Sequence, residues 1–148
     1  MKKTFRLIGL LLFALLAAAP CFAHHMAVVV AKQNGVTTMT SAQLGKIFRG
    51  ETKKWPDGKD IQLVLHRSST GEAETLEHLN KMSAQQWHSW VAEHKDSLVF
   101  ADSDDEVLNY VENTQGAVGL VEVHSVNDHV VVVRVDGKLP MEDGYLPH

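Results

Sequence analysis

Apolar positions recur along this chain in two rhythms, one suited to strands and one to helices. Ala27–Ala31 is a short β-branched run closed by the turn Asn34-Gly35, which predicts a buried strand. Thr40-Ser41-Ala42-Gln43 spells a capping box, in which Thr40 accepts from an early helix N–H and Gln43 reaches back. Leu44, Ile47 and Phe48 follow on one helix face, and Gly50 is placed to end that helix. Trp55-Pro56-Asp57-Gly58 is a turn. Ile61–His66 then alternates, which predicts a strand with its drier face on Ile61, Leu63 and Leu65.

Three further helices carry start signals. Ser69-Thr70-Gly71-Glu72 opens the first, with Ala73, Leu76 and Leu79 inward and Glu72 turned back toward Ser69. Ser83-Ala84-Gln85-Gln86 opens the next, with Trp87, Trp90, Val91 and His94 on one stripe. Ser103-Asp104-Asp105-Glu106 opens the last, with Val107, Leu108 and Val111 inward. Gly116–Val121 and Val130–Val135 read as strands, and Val130–Val133 is apolar enough to predict cover on both faces. Asp136-Gly137 turns the chain, and the tail from Lys138 to His148 has no clear period. The order of elements predicts an α/β fold: a single three-layer lobe with helices on both sides of a small mixed sheet.

The first 23 residues stand apart. Lys2, Lys3 and Arg6 precede an apolar run from Leu7 to Ala19, and Ala23 closes an A-x-A-type cleavage sequence. This pattern predicts a secretory signal peptide over 1–23, a single mature domain over 24–148 and a periplasmic location. The run falls short of the roughly 20 residues of a membrane span, so no membrane insertion is expected after cleavage. Three of the 14 basic residues leave with the leader and none of the 18 acidic ones, so the mature surface is more acidic than the formal −4 of the whole chain. An acidic surface repels nucleic acid and anionic membrane, and neither is expected as a partner. The single cysteine, Cys21, also lies in the leader, which leaves no disulfide and no thiol chemistry.

The richest chemistry lies at His66-Arg67-Ser68-Ser69-Thr70-Gly71, where a strand's carboxyl end passes directly into a helix. Ligands of open α/β sheets gather at such ends. The first helical turn presents unsatisfied N–H groups and a partial positive charge. Ser68, Ser69 and Thr70 add hydroxyl donors, Gly71 lets a ligand approach the backbone, and Arg67 supplies a forked cation for phosphate or carboxylate. These five residues form a candidate oxyanion cradle.

Four segments, taken in order, resemble the substrate-binding proteins of phosphate ABC transporters. They are Leu44 to Gly50 with the preceding Met39–Gln43, then Trp55-Pro56-Asp57-Gly58-Lys59 with Ile61, then Arg67 to Leu76, and finally Gln115 to Val121. They are similar to the family's "L-x-x-I-F-x-G", "W-x-D-G-x-x-I", "G-S-G-T-x-x-x-F" and "P-G-A-I-G-Y" signatures. The resemblance implies one lobe of a two-lobed binding protein. It also implies that the loop holding phosphate in the family falls here on Ser69, Thr70, Gly71 and Glu72, with Leu76 on the family's Phe and Arg67 on its arginine. Glu72 is the main departure, because a carboxylate about 4–6 Å from a bound anion costs on the order of 1–4 kcal/mol. A charge-assisted bond from Arg67 contributes roughly 1.5–3 kcal/mol and a helix end roughly 0.3–2. Their sum is near the −4.1 kcal/mol of millimolar binding. The resemblance therefore implies weak phosphate binding unless an ABC permease or a second chain completes the cleft.

Two other functions stay open. An interaction or sensor module reusing one lobe fits the acidity, Glu72 and the missing lobe. A periplasmic copper site fits a cleaved amino terminus at His24, next to His25 and Met26, in a chain with nine histidines. Those histidines show no H-x-x-x-H or H-E-x-x-H spacing, and His94, ending an apolar stripe, is expected to be packed. With no nucleophile elbow, P-loop or dinucleotide fingerprint, neither an enzyme nor a cofactor is expected.

Overall fold

The computed structural model describes residues 24–148; the predicted leader lies outside the described residues. The central sheet has five strands: β1 (Met26–Ala31), β3 (Gln62–His66), β4 (Leu98–Ala101), β5 (Ala117–Glu122) and β6 (Val130–Val132), in the order β4-β3-β5-β1-β6. β3 runs parallel to β4 and β5, whereas β1 is antiparallel to β5 and β6. A smaller parallel pair joins β2 (Thr38–Met39) to β7 (Arg134–Val135). The helices are α1 (Ser41–Phe48), α2 (Thr70–Asn80), α3 (Ala84–His94) and α4 (Asp104–Asn113).

The period-2 geometry of the strands sorts the core into two layers. Met26, Val28 and Val30 of β1, Leu63 and Leu65 of β3, and Val118 and Leu120 of β5 meet Leu44, Ile47 and Phe48 of α1, Leu76 of α2 and Trp87 of α3. On the opposite face Val29, Val64 and Val121 meet Val107, Leu108 and Val111 of α4. Three helices thus cover one face and α4 covers the other, which is the three-layer α/β lobe that the sequence predicts. Gly119 brings α4 close: a Cβ there would stand 2.8 Å from Val107 Cγ1.

The local signals hold. Thr40–Gln43 and Ser83–Gln86 form complete capping boxes. Gly50 follows α1 at φ +70°, and Asp136-Gly137 forms a two-residue hairpin turn at φ 51° and 79° between Val135 and Lys138. Other expectations are corrected. β3 has no wetter face at Val64, which is fully buried, because α4 covers the side left open in the alternation. The valine run Val130–Val135 is not one interior strand: it splits into edge strand β6, with Val131 and Val132 half-buried, and β7 in the second sheet. The tail is also better packed than its lack of period suggests. Tyr145 and Leu146 are buried, and the Tyr145 hydroxyl accepts from Val28 N–H at 3.1 Å and donates to Val133 C=O at 2.6 Å.

Candidate functional site

The carboxyl ends of β3, β4 and β5 lie along one edge of the sheet, at His66, Ala101 and Glu122, and antiparallel β1 begins beside them with Met26 opposite Glu122. Two helices start from this edge: α2 after β3 and α4 after β4. Parallel strands followed by helices aim helix N-termini and their free N–H groups at the same rim.

The β3–α2 junction brings Ser68, Ser69, Thr70 and Gly71 together. Ser69 is the N-cap, its hydroxyl accepting from Glu72 N–H at 3.1 Å and its own N–H donating to His66 C=O at 3.2 Å. Ser68 and Thr70 are exposed and Ser69 is half-buried. Arg67 joins them only through its backbone, whose N–H extends the β3–β4 ladder to Ala101 C=O at 3.0 Å. Its guanidinium turns toward the β4–α4 link instead. There Cζ stands 5.2 Å from the centre of the Phe100 ring and Nη1 stands 3.5 Å from Asp102 Oδ1. With 61% and 67% of the two side chains exposed, that ion pair is a weak restraint. The α-carbon of Gly71 faces the chain itself, since a Cβ there would lie 2.7 Å from His24 Cβ and 3.1 Å from Met26 Sδ. The glycine thus lets the start of β1 pack against α2.

Glu72 departs from the reciprocal capping box. Its Oε2 accepts from His66 N–H at 2.7 Å rather than from the Ser69 backbone, and its Oε1 is buried without a partner. The residue is 3% exposed. Burial pushes its carboxyl well above the usual carboxylate range, nearby Asp104 adds to that, and the His66 N–H opposes it. A protonated Glu72 does not repel an anion as a carboxylate would.

The sequence did not point to the network around His66. Asp104, the first residue of α4, sits 3.1 Å from His66 Nδ1 through Oδ1 and accepts from Glu122 N–H at 3.1 Å through Oδ2. The other ring nitrogen of His66 lies 3.4 Å from Ser68 Oγ. Glu122 in turn meets His24 Nδ1 and His124 Nδ1, each at 3.1 Å. His66 and Asp104 are 38 residues apart, and only the parallel register of β3 and β4 brings them face to face. Among the described residues no group of three or more histidines, cysteines or acids is arranged to hold a metal ion. His94 is half-buried at the end of its stripe rather than a core residue, stacked on Trp90 at 4.3 Å with Nδ1–H donating to the Trp90 carbonyl at 2.7 Å.

The profile of the PBP superfamily domain matches residues 17–139. The chain belongs to that family. No curated protein sequence matches it. Solved structures with the PBP domain fold include an ABC-type phosphate transport receptor from Vibrio cholerae, with 21% identity and a TM-score of 0.63 over 78% of this chain and 48% of that one. A phosphate-binding protein from Stenotrophomonas maltophilia is similar, at 18% identity and a TM-score of 0.66 over 79% of this chain and 40% of that one. So is PstS from Borrelia burgdorferi, at 16% identity and 0.63 over 78% and 49%. At these identities the likeness establishes the fold. This PBP domain spans about half the length of the proteins it matches, or less. Among the described residues no helix is long and apolar enough to cross a membrane.

Proposed function

We propose that the chain is an exported solute-binding lobe that holds phosphate or a similar small oxyanion at the β3–α2 junction, through Arg67, Ser68, Ser69, Thr70 and Gly71. One observation carries the reading: β3 passes straight into α2 with the Ser68 and Thr70 hydroxyls exposed and the acid of the first turn folded inward. The first turn of α2 leaves Thr70 and Gly71 N–H without a helix carbonyl. Ser68 and Thr70 hydroxyls are exposed beside them, and buried Glu72 is turned onto His66. Arg67 reaches an anion there by leaving a weak, exposed partner. The PBP fold and its phosphate-binding neighbours support this choice of ligand. Periplasmic delivery by the leader, and an ABC permease or second chain that closes the cleft for uptake, complete the proposal.

Calorimetry with phosphate tests it on wild type and Arg67→Ala. The expected dissociation constant is millimolar, weakened about tenfold by Arg67→Ala, the change one charge-assisted bond supplies. Binding untouched by Arg67→Ala moves the site elsewhere. Absence of binding at tens of millimolar phosphate favours the second reading, an interaction module built on one lobe. His24 and Met26 packed against Gly71, and Arg67 already facing Asp102, speak for that alternative.

A further inference from the structure

Ser68 is an exposed hydroxyl of the proposed site that stands next to a titratable group, and the direction of its hydrogen depends on that group. Asp104 is at its first-turn position in α4 and accepts at Oδ1, so His66 Nδ1 carries a proton and donates to it. The other nitrogen, Nε2, faces Ser68 Oγ at 3.4 Å. While the imidazole is neutral, Nε2 is only an acceptor, and the Ser68 hydrogen points at it. The serine then offers lone pairs to solvent. Once the imidazole takes a second proton, Nε2–H becomes the donor and Ser68 Oγ the acceptor. The Ser68 hydrogen is thereby released toward the junction, and a positive charge arrives three residues before the α2 cap at Ser69.

Glu72 supplies a second observation at the same spot. It is 3% exposed and lies in the first turn of α2, with Oε2 bonded to His66 N–H and Oε1 unpartnered. In its protonated form it adds no negative charge against a ligand. The remaining charges around His66 come from every neighbouring element. Asp104 belongs to α4, Glu72 to α2 and Asp102 to the β4–α4 link, while Arg67 follows β3 directly. Glu122 ends β5 behind Asp104 and is flanked by His24 and His124.

We infer that His66, held by Asp104, is the positioning residue that turns the Ser68 hydroxyl from acceptor to donor, so that oxyanion binding at this junction is coupled to uptake of one proton. The inference rests on the oxyanion reading above and adds its regulation. The ligand it favours is a fully ionised tetrahedral oxyanion such as sulfate, which brings only acceptors and needs donors on all sides.

Sulfate is the probe, because it does not titrate between pH 5.5 and 8, the interval in which histidine changes charge. Calorimetry compares wild type with Ser68→Ala, a change at an exposed residue that leaves the imidazole in place. The expected result is a wild-type affinity about tenfold above that of Ser68→Ala at pH 5.5, the worth of one hydrogen bond to an anion, and near-equal affinities at pH 8. His66→Gln should flatten the wild-type pH profile, and NMR should show the His66 ring binding its proton more tightly when sulfate is added. An affinity ratio that stays constant with pH overturns the coupling while leaving the oxyanion site standing, because general protein charge moves both proteins alike. No sulfate or phosphate binding at either pH overturns both.

Discussion

Two helices begin on the same edge of the sheet, each after a parallel strand and each capped by a serine, yet their first turns are built in opposite ways. α4 opens with Asp104, Asp105 and Glu106. Its positive end is met by its own acids: Asp104 reaches sideways to His66 and Glu122, and Glu106 accepts from Asp102 N–H at 2.7 Å. α2 opens with Thr70 and Gly71, and the single acid of its first turn, Glu72, turns down into the core as a group that burial favours in its neutral form. One helix start is filled by its own acids, while the other keeps the Ser68 and Thr70 hydroxyls exposed and packs Gly71 under His24 and Met26. The comparison teaches that capping alone does not mark a ligand site. What matters is whether the acids of the first turn are spent inside the protein or left to neutralise the rim.

The comparison breaks hardest at Asp104. Asp104→Ala removes acceptors from His66 and from Glu122 N–H, and urea denaturation should show a loss of about 2–3 kcal/mol. Thr70→Ala, at the same position of α2, should stay within about 0.5 kcal/mol. The pH dependence sharpens the contrast next. Because the folded state holds the Glu72 proton more tightly than the unfolded chain, with its ordinary value of 4.5, the stability linked to that proton is complete at or below that pH. It is lost as pH rises through the higher folded value. Glu72→Gln mimics the protonated acid, so denaturation midpoints of wild type should fall relative to the variant as pH rises from acid toward neutral. Midpoints that move in parallel would mean Glu72 is ionised in its buried position. Ser69→Ala and Ser103→Ala should each cost about 1 kcal/mol, because a hydroxyl cap works the same way at either helix. Arg67→Ala, like Thr70→Ala, is expected to stay within about 0.5 kcal/mol in the same assay, since its ion pair is exposed.

What the sequence makes legible is what neighbours in the chain decide. The serine and threonine caps, the Asp136-Gly137 turn and the inward stripes of the four helices rest on contacts within a few residues, and they stand in the structure where the pattern places them. Four parts were not legible because distant residues settle them. Val64 is buried by α4, which arrives 43 residues later in the chain at Val107. The valine run splits because β2 recruits its second half. Arg67 turns aside because Phe100 and Asp102 lie beside it on the neighbouring strand. The Asp104–His66–Ser68 relay needs the β3–β4 register, and neither the serine-capped acidic run nor a lone histidine announces it.

The Tyr145 hydroxyl stands where a rung between β1 and the departing β6 would otherwise be, bonded to both backbones. Burial pushes this phenol up to about 12, so the link keeps its proton across any working pH. Val28 N–H and Val133 C=O, both on buried residues, find this partner only when the tail is folded back over the sheet, which ties the end of the lobe to its first strand.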